Sequence, residues 1–162
     1  MPSDLFRHAR ATWGGAEPGR MIGRGHPVGD FLEAHEWLML EERPGHLKLD
    51  VHLVDPVKNF KGHLFGGFAP TYVDLIAIRT VRAGQSSPTG WLVTMNMRLD
   101  FFEPVSGPRF FVESDVVNRR GSVALVETRF RDSAATMLVF ALTTLREIES
   151  DGDAKRLDRR RE

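Results

Sequence analysis

Asp74 stands in the middle of an apolar run. Val73 and Leu75 flank it, and Phe68, Ala69, Tyr72, Ile76, Ala77 and Ile78 surround it. A carboxylate in such a setting is costly if it is desolvated and unpaired. It is therefore either a general base or nucleophile held at a cleft, or one half of a structural ion pair with an arginine such as Arg79. Gly66 and Gly67 precede the same run. Backbone N–H groups at a helix start have no intrahelical partner, so they can hold an oxyanion or a polarised carbonyl, or simply serve a tight turn. No Gly-Lys-Ser/Thr follows the glycines, which excludes a phosphate-binding P-loop. His35–Glu36 lacks the second histidine of zinc-protease spacing and reads as a surface pair, so no metal site is expected. The chain has no cysteine, which excludes thiolate catalysis, disulfides and cysteine-based zinc sites.

The elements that must position these groups fit one domain of 162 residues. Lys plus Arg and Asp plus Glu each total 22, so net charge offers no footprint for nucleic acid or an anionic membrane. No apolar run approaches the roughly 20 residues of a membrane span, and no basic-then-apolar leader opens the chain. A cytoplasmic protein is expected. Residues 1–28 read as a loosely ordered segment, 29–147 as the folded domain and 148–162 as a charged tail. Strand-like runs at Trp37–Glu42 and Leu47–Val54 flank a Pro44–Gly45 turn. A long connection leads to a helix that opens at Gly66–Gly67, carries Pro70 in its first turn, reaches about Arg82 and ends at Gly84. After it come Trp91–Phe102, the hairpin of Arg109–Val117 and Ser122–Arg131, and a last strand Ala135–Arg146. Alternation in the first of these sets Trp91, Val93, Met95, Met97, Leu99 and Phe101 on one face and Leu92, Thr94, Asn96, Arg98, Asp100 and Phe102 on the other. Met95, Met97, Phe101 and Phe110 read as core. A helix that is apolar around most of its circumference is buried, here under a curved antiparallel sheet. The fold class is α+β.

Asn59-Phe60-Lys61-Gly62-His63-Leu64-Phe65-Gly66-Gly67, with Asp74 seven residues on, resembles the motif of hotdog-fold acyl-CoA thioesterases. The likeness is strongest to the phenylacetate-pathway and acyl-CoA thioesterase-13-like branch of the 4-hydroxybenzoyl-CoA thioesterase superfamily. Asn59, Gly62, Gly66, Gly67 and Asp74 match in spacing, and Thr94 with Pro104 matches a downstream Ser/Thr-to-proline interval. The resemblance covers about residues 30–147. It implies a hotdog fold, a long central helix wrapped by the sheet, assembled as a homodimer or a dimer of dimers (a homotetramer). It implies hydrolysis of an acyl-CoA or related acyl thioester to acid and thiol. Coenzyme A then comes as part of the substrate and no other cofactor is implied. In that scheme the Gly66 N–H polarises the carbonyl with Asn59 helping to position it, Asp74 activates water or attacks directly, and Thr94 holds the water or the carboxylate. One position departs: Phe65 replaces the family histidine, and phenylalanine neither donates a hydrogen bond nor titrates. His63 offers an imidazole two residues earlier. The departure favours a second possibility, a non-catalytic acyl-CoA sensor or carrier. A hotdog dehydratase or hydratase needs a histidine paired with its carboxylate, and none lies in the helix near Asp74.

Eight residues separate Gly66 from Asp74, roughly 12 Å along a helix. One chain's pair cannot serve a single carbonyl. Two antiparallel helices side by side bring Gly66 of one chain to Asp74 of the other, which predicts an obligate dimer with shared sites. Coenzyme A phosphates call for cations at the cleft mouth, with Arg119, Arg120, Lys58 and Lys61 as candidates. Tyr72, Phe65 and Phe68 suggest a bulky apolar pocket near the helix start.

Overall fold

The computed structural model describes residues 16–85 and 90–149. One six-stranded antiparallel sheet has the order β1-β2-β4-β5-β6-β3. Its strands are β1 (Leu38–Arg43), β2 (His46–His52), β3 (Gly90–Phe101), β4 (Arg109–Arg120), β5 (Val123–Arg131) and β6 (Met137–Glu149). The inward residues of β2, β4, β5 and β6, among them Leu49, Val51, Phe110, Val112, Val126, Phe130, Val139 and Ala141, are buried under a long helix. A short helix α1 (Pro27–Phe31) precedes β1, and the long helix α2 (Ala69–Arg82) crosses the sheet's concave face. This is the hotdog arrangement.

α2 is entered through a single 3₁₀ turn, Gly66–Phe68, with Pro70 in the first α-turn, where a missing N–H costs nothing. It leaves at Gly84, whose φ of +77° suits glycine, and a Cβ there would lie 2.7 Å from Pro44 Cγ. The β1–β2 turn thus packs on the helix end. Tyr72 does not line a pocket as its position near the helix start suggests. It is fully buried, stacked on Trp37 at 5.5 Å and edge-on to Phe110 at 5.6 Å. Its hydroxyl donates to the His52 carbonyl at 3.3 Å, and burial pushes its pKa up to about 12.

Three features differ from the sequence expectation. The fold begins before residue 29: Met21 and Ile22 are 0% and 1% exposed, and α1 is capped by the His26 side chain, which accepts from the Gly29 N–H. Tertiary contact orders this glycine-rich stretch, which has no period of its own. At the other end β6 runs on to Glu149, because Glu147 is neutralised by Arg82 and Arg119, each at 2.8 Å. The remainder of the expected N-terminal segment and charged tail, residues 1–15 and 150–162, lies outside the described residues. Third, β3 does not alternate strictly. Thr94 pairs with Leu145 and Asn96 with Thr144, so Met95 is an extra residue in a bulge. Leu92 and Thr94 therefore share the helix-facing side with Met97, Leu99 and Phe101, while Met95 swings out and is 57% exposed. Phe101, expected in the core, is 55% exposed at the end of that edge strand.

Candidate active site

The bulge sets the geometry of the site. Without it Thr94 would sit on the outer sheet face; with it the Thr94 hydroxyl donates to Asp74 Oδ1 on α2. Asp74 is half-buried, and among the described residues no cation lies within ion-pair distance of it. Arg79, one turn on, is engaged elsewhere: it pairs with Glu42 at 2.6 Å and donates to the Met21 carbonyl. The carboxylate is thus held by a hydroxyl donor and not by a counter-ion.

The helix start is shaped by the loop before it. Asn59 Oδ1 accepts from the N–H groups of Lys61 and His63 at 2.9 and 3.1 Å. The Asn59 N–H donates to the His63 carbonyl at 2.7 Å, and the Gly62 N–H donates to the Asn59 carbonyl at 2.9 Å. Gly62 has φ +79°, which suits glycine. Asn59 therefore builds the turn with its own side-chain oxygen, as Asx turns do, and His63 joins it through its backbone. The Phe65 N–H then donates to the Val57 carbonyl at 2.8 Å, which delivers Gly66 and Gly67 to the head of the helix. Both glycines are exposed, at the position where N–H groups have no carbonyl of an earlier turn to bond.

Aromatic rings wall this end. Phe65, 54% exposed, lies edge-on to Phe68 at 6.2 Å, and Phe68 meets Phe31 at 5.9 Å. The Phe101 ring would touch a Cβ on Gly66 at 3.9 Å, whereas a Cβ on Gly67 would meet Phe65 at 3.0 Å. Glycine at 67 is thus needed for the ring to lie where it does. Sequence reasoning missed Phe31 and Phe101 here, since neither belongs to the motif and their approach is set by the fold.

Gly66 and Asp74 remain eight residues apart on one continuous turn-and-helix, about 12 Å. The candidate cations are scattered. Arg119 is paired with Glu147, Arg120 is exposed at the end of β4, and Lys58 is paired with Asp55 at 2.6 Å. Lys61 is exposed in the Asn59 turn with its ammonium 5.9 Å from the Phe60 ring centroid.

Among the described residues one trio, His46, Glu113 and Asp115, is close enough to share a metal ion. Its charge is already met. His46 Nδ1 lies 2.6 Å from Asp115 Oδ1, and the Arg129 guanidinium pairs with Asp115, with Glu127 at 3.1 Å and with Glu113 at 3.9 Å. The trio fits an internal ion network on the outer sheet face, remote from Asp74 in the strand order.

The family model for the thioesterase superfamily matches residues 61–137. No curated protein sequence matches significantly. Solved structures of similar shape include a Silicibacter pomeroyi thioesterase family protein, 15% identical with TM-score 0.68, covering 90% of this chain and 98% of that one. A Ralstonia eutropha protein described as a thioesterase by assignment and as phenylacetic acid degradation-related is 17% identical with TM-score 0.68, covering 87% and 99%. A Streptococcus pneumoniae protein described as a hypothetical thioesterase, crystallised with coenzyme A, is 16% identical with TM-score 0.62, covering 70% and 87%. Residues 61–137 thus match the thioesterase superfamily model, and the fold is the one these solved structures share.

Proposed function

We propose that the protein hydrolyses an acyl-CoA thioester at a site shared across a homodimer. The observation that carries this reading is the Asp74–Thr94 pair, without a counter-ion, on the helix and strand beside the sheet's open edge. Beyond it, β3 has no strand neighbour among the described residues and exposes Val93, Met95 and Phe101. Antiparallel pairing of two β3 edges runs the two α2 helices side by side in opposite directions. Gly66 of one chain then approaches Asp74 of the other, which removes the 12 Å obstacle.

In this scheme the Gly66 N–H polarises the thioester carbonyl, and Thr94 orients the Asp74 carboxylate. Asp74 takes a proton from water as the oxygen attacks the carbonyl carbon. The C–S bond then breaks, and the thiolate recovers the proton from Asp74, leaving free acid and thiol. Asn59 acts through the turn it builds. Coenzyme A enters and leaves as part of the substrate, so the scheme asks for no further cofactor; the Streptococcus pneumoniae protein was crystallised with that molecule.

Phe65 favours a second reading, an acyl-CoA binding protein without turnover, because an apolar ring stands where the family histidine would donate. Thiol release from a panel of acyl-CoAs, with Asp74→Ala alongside, separates the two. Turnover that collapses in the variant supports hydrolysis. Binding without turnover by the unaltered protein supports the second reading, and turnover indifferent to the substitution rejects Asp74 as the base.

A further inference from the structure

The turn before the helix holds an oddity the hydrolytic scheme does not use. Phe60 is 95% exposed, the most exposed large hydrophobic side chain among the described residues. It is not on a loose loop. The Asn59 side chain, the Asn59–His63 backbone pair and the Gly62 N–H fix the turn by four hydrogen bonds between 2.7 and 3.1 Å. A bridge between Lys58 and Leu64 closes its base. A rigid turn that holds a phenyl ring in water gives up the burial such a ring normally gains. The Lys61 ammonium lies 5.9 Å from the ring centroid, and among the described residues no carboxylate is paired with it. The tip therefore presents a flat aromatic face and an unneutralised cation together.

We propose that this tip recognises the nucleotide end of coenzyme A, with the adenine stacked on Phe60 and a phosphate held by Lys61. Every nucleobase has a π-face that stacks on an aromatic side chain, and a lysine ammonium is a compact partner for phosphate. The placement suits the reach: six residues link Phe60 to Gly66, at most roughly 20 Å even if fully extended. The pantetheine arm and diphosphate cover that order of distance. The inference rests on the thioesterase reading and narrows it, because a carrier-protein thioester has a pantetheine arm but no adenine for Phe60 to meet.

The test compares one acyl group on two carriers, coenzyme A and N-acetylcysteamine, which keeps the thioester and lacks the nucleotide. Phe60→Ala is expected to raise KM for the acyl-CoA about ten-fold with kcat unchanged, and Lys61→Gln to raise it several-fold. The KM for the truncated thioester should move less than about two-fold in either variant. Direct titration with adenosine 3′,5′-bisphosphate should show the same weakening, and this arm stands even if the protein hydrolyses nothing. Equal effects on both carriers, or none on acyl-CoA or the bisphosphate, would overturn the proposal. So would a change of oligomeric state in Phe60→Ala, which would make the tip a contact between copies.

Discussion

The two edges of the sheet are built for opposite ends. β1 is six residues long, carries Glu41, Glu42 and Arg43, and is bulged between Met39 and Glu41. Its outer side is met by the preceding chain, through the Met39 N–H donating to the Gly19 carbonyl at 2.7 Å and a bridge from Arg20 to Leu38. Charge, shortness, a bulge and a covering segment are the devices that stop a strand from recruiting another. β3 is twelve residues long, has no charge before Arg98, and offers exposed Val93 and Met95. Its bulge does not blunt it; it turns Thr94 toward Asp74. Protection on one edge, and an exposed apolar edge beside the Asp74–Thr94 pair on the other, is the contrast on which the proposed shared site rests.

That contrast can be broken at several points. The largest effect is expected for Asp74→Ala, a loss of about a thousand-fold in turnover with the oligomer intact, measured by thiol release beside light scattering. Making β3 resemble β1 comes next. Met95→Glu should give a monomer whose activity falls with the fraction of dimer lost, while Leu40→Glu on β1, at a side chain 49% exposed, should leave the oligomer unchanged; analytical ultracentrifugation reads both. Thr94→Ala should cost about ten-fold in kcat and Thr94→Ser should recover most of it, since the hydroxyl is what donates to Asp74.

The smallest effect belongs to the closed side. Tyr72→Phe removes one hydrogen bond to the His52 carbonyl and should cost about 1 kcal/mol in stability, with kcat unchanged. Its pH dependence has a defined sign. The buried phenol titrates near 12 against an ordinary value of 10, so the unfolded chain ionises first. The stability this residue contributes is complete below about pH 10 and drains away toward pH 12. Thermal unfolding across that window should therefore be flatter in the variant.

The helix and its polar intruder were legible because local chemistry dictates them. Pro70 and Gly84 each meet a backbone demand at a helix boundary, and Asp74 is conspicuous among apolar neighbours. The face of Thr94 was not legible, since one bulged residue inverts the alternation and nothing at Met95 announces it. The roles of Met21, Ile22, Phe31 and Phe101 were equally hidden: each is set by what packs against it in space. The Asn59 motif showed its spacing in the sequence, but only the hydrogen bonds reveal that its side chain is spent on the turn.

The shared site is tested most directly by mixing two inactive chains. Gly66→Pro removes the N–H at a helix start, where proline is accepted; Phe65 is already extended and a Cβ at Gly66 has room at 3.9 Å. Asp74→Ala removes the base. If the site takes Gly66 from one chain and Asp74 from the other, co-refolded chains form mixed dimers with one intact site, and about a quarter of full activity returns. Activity no greater than that of the two parents would contradict the account.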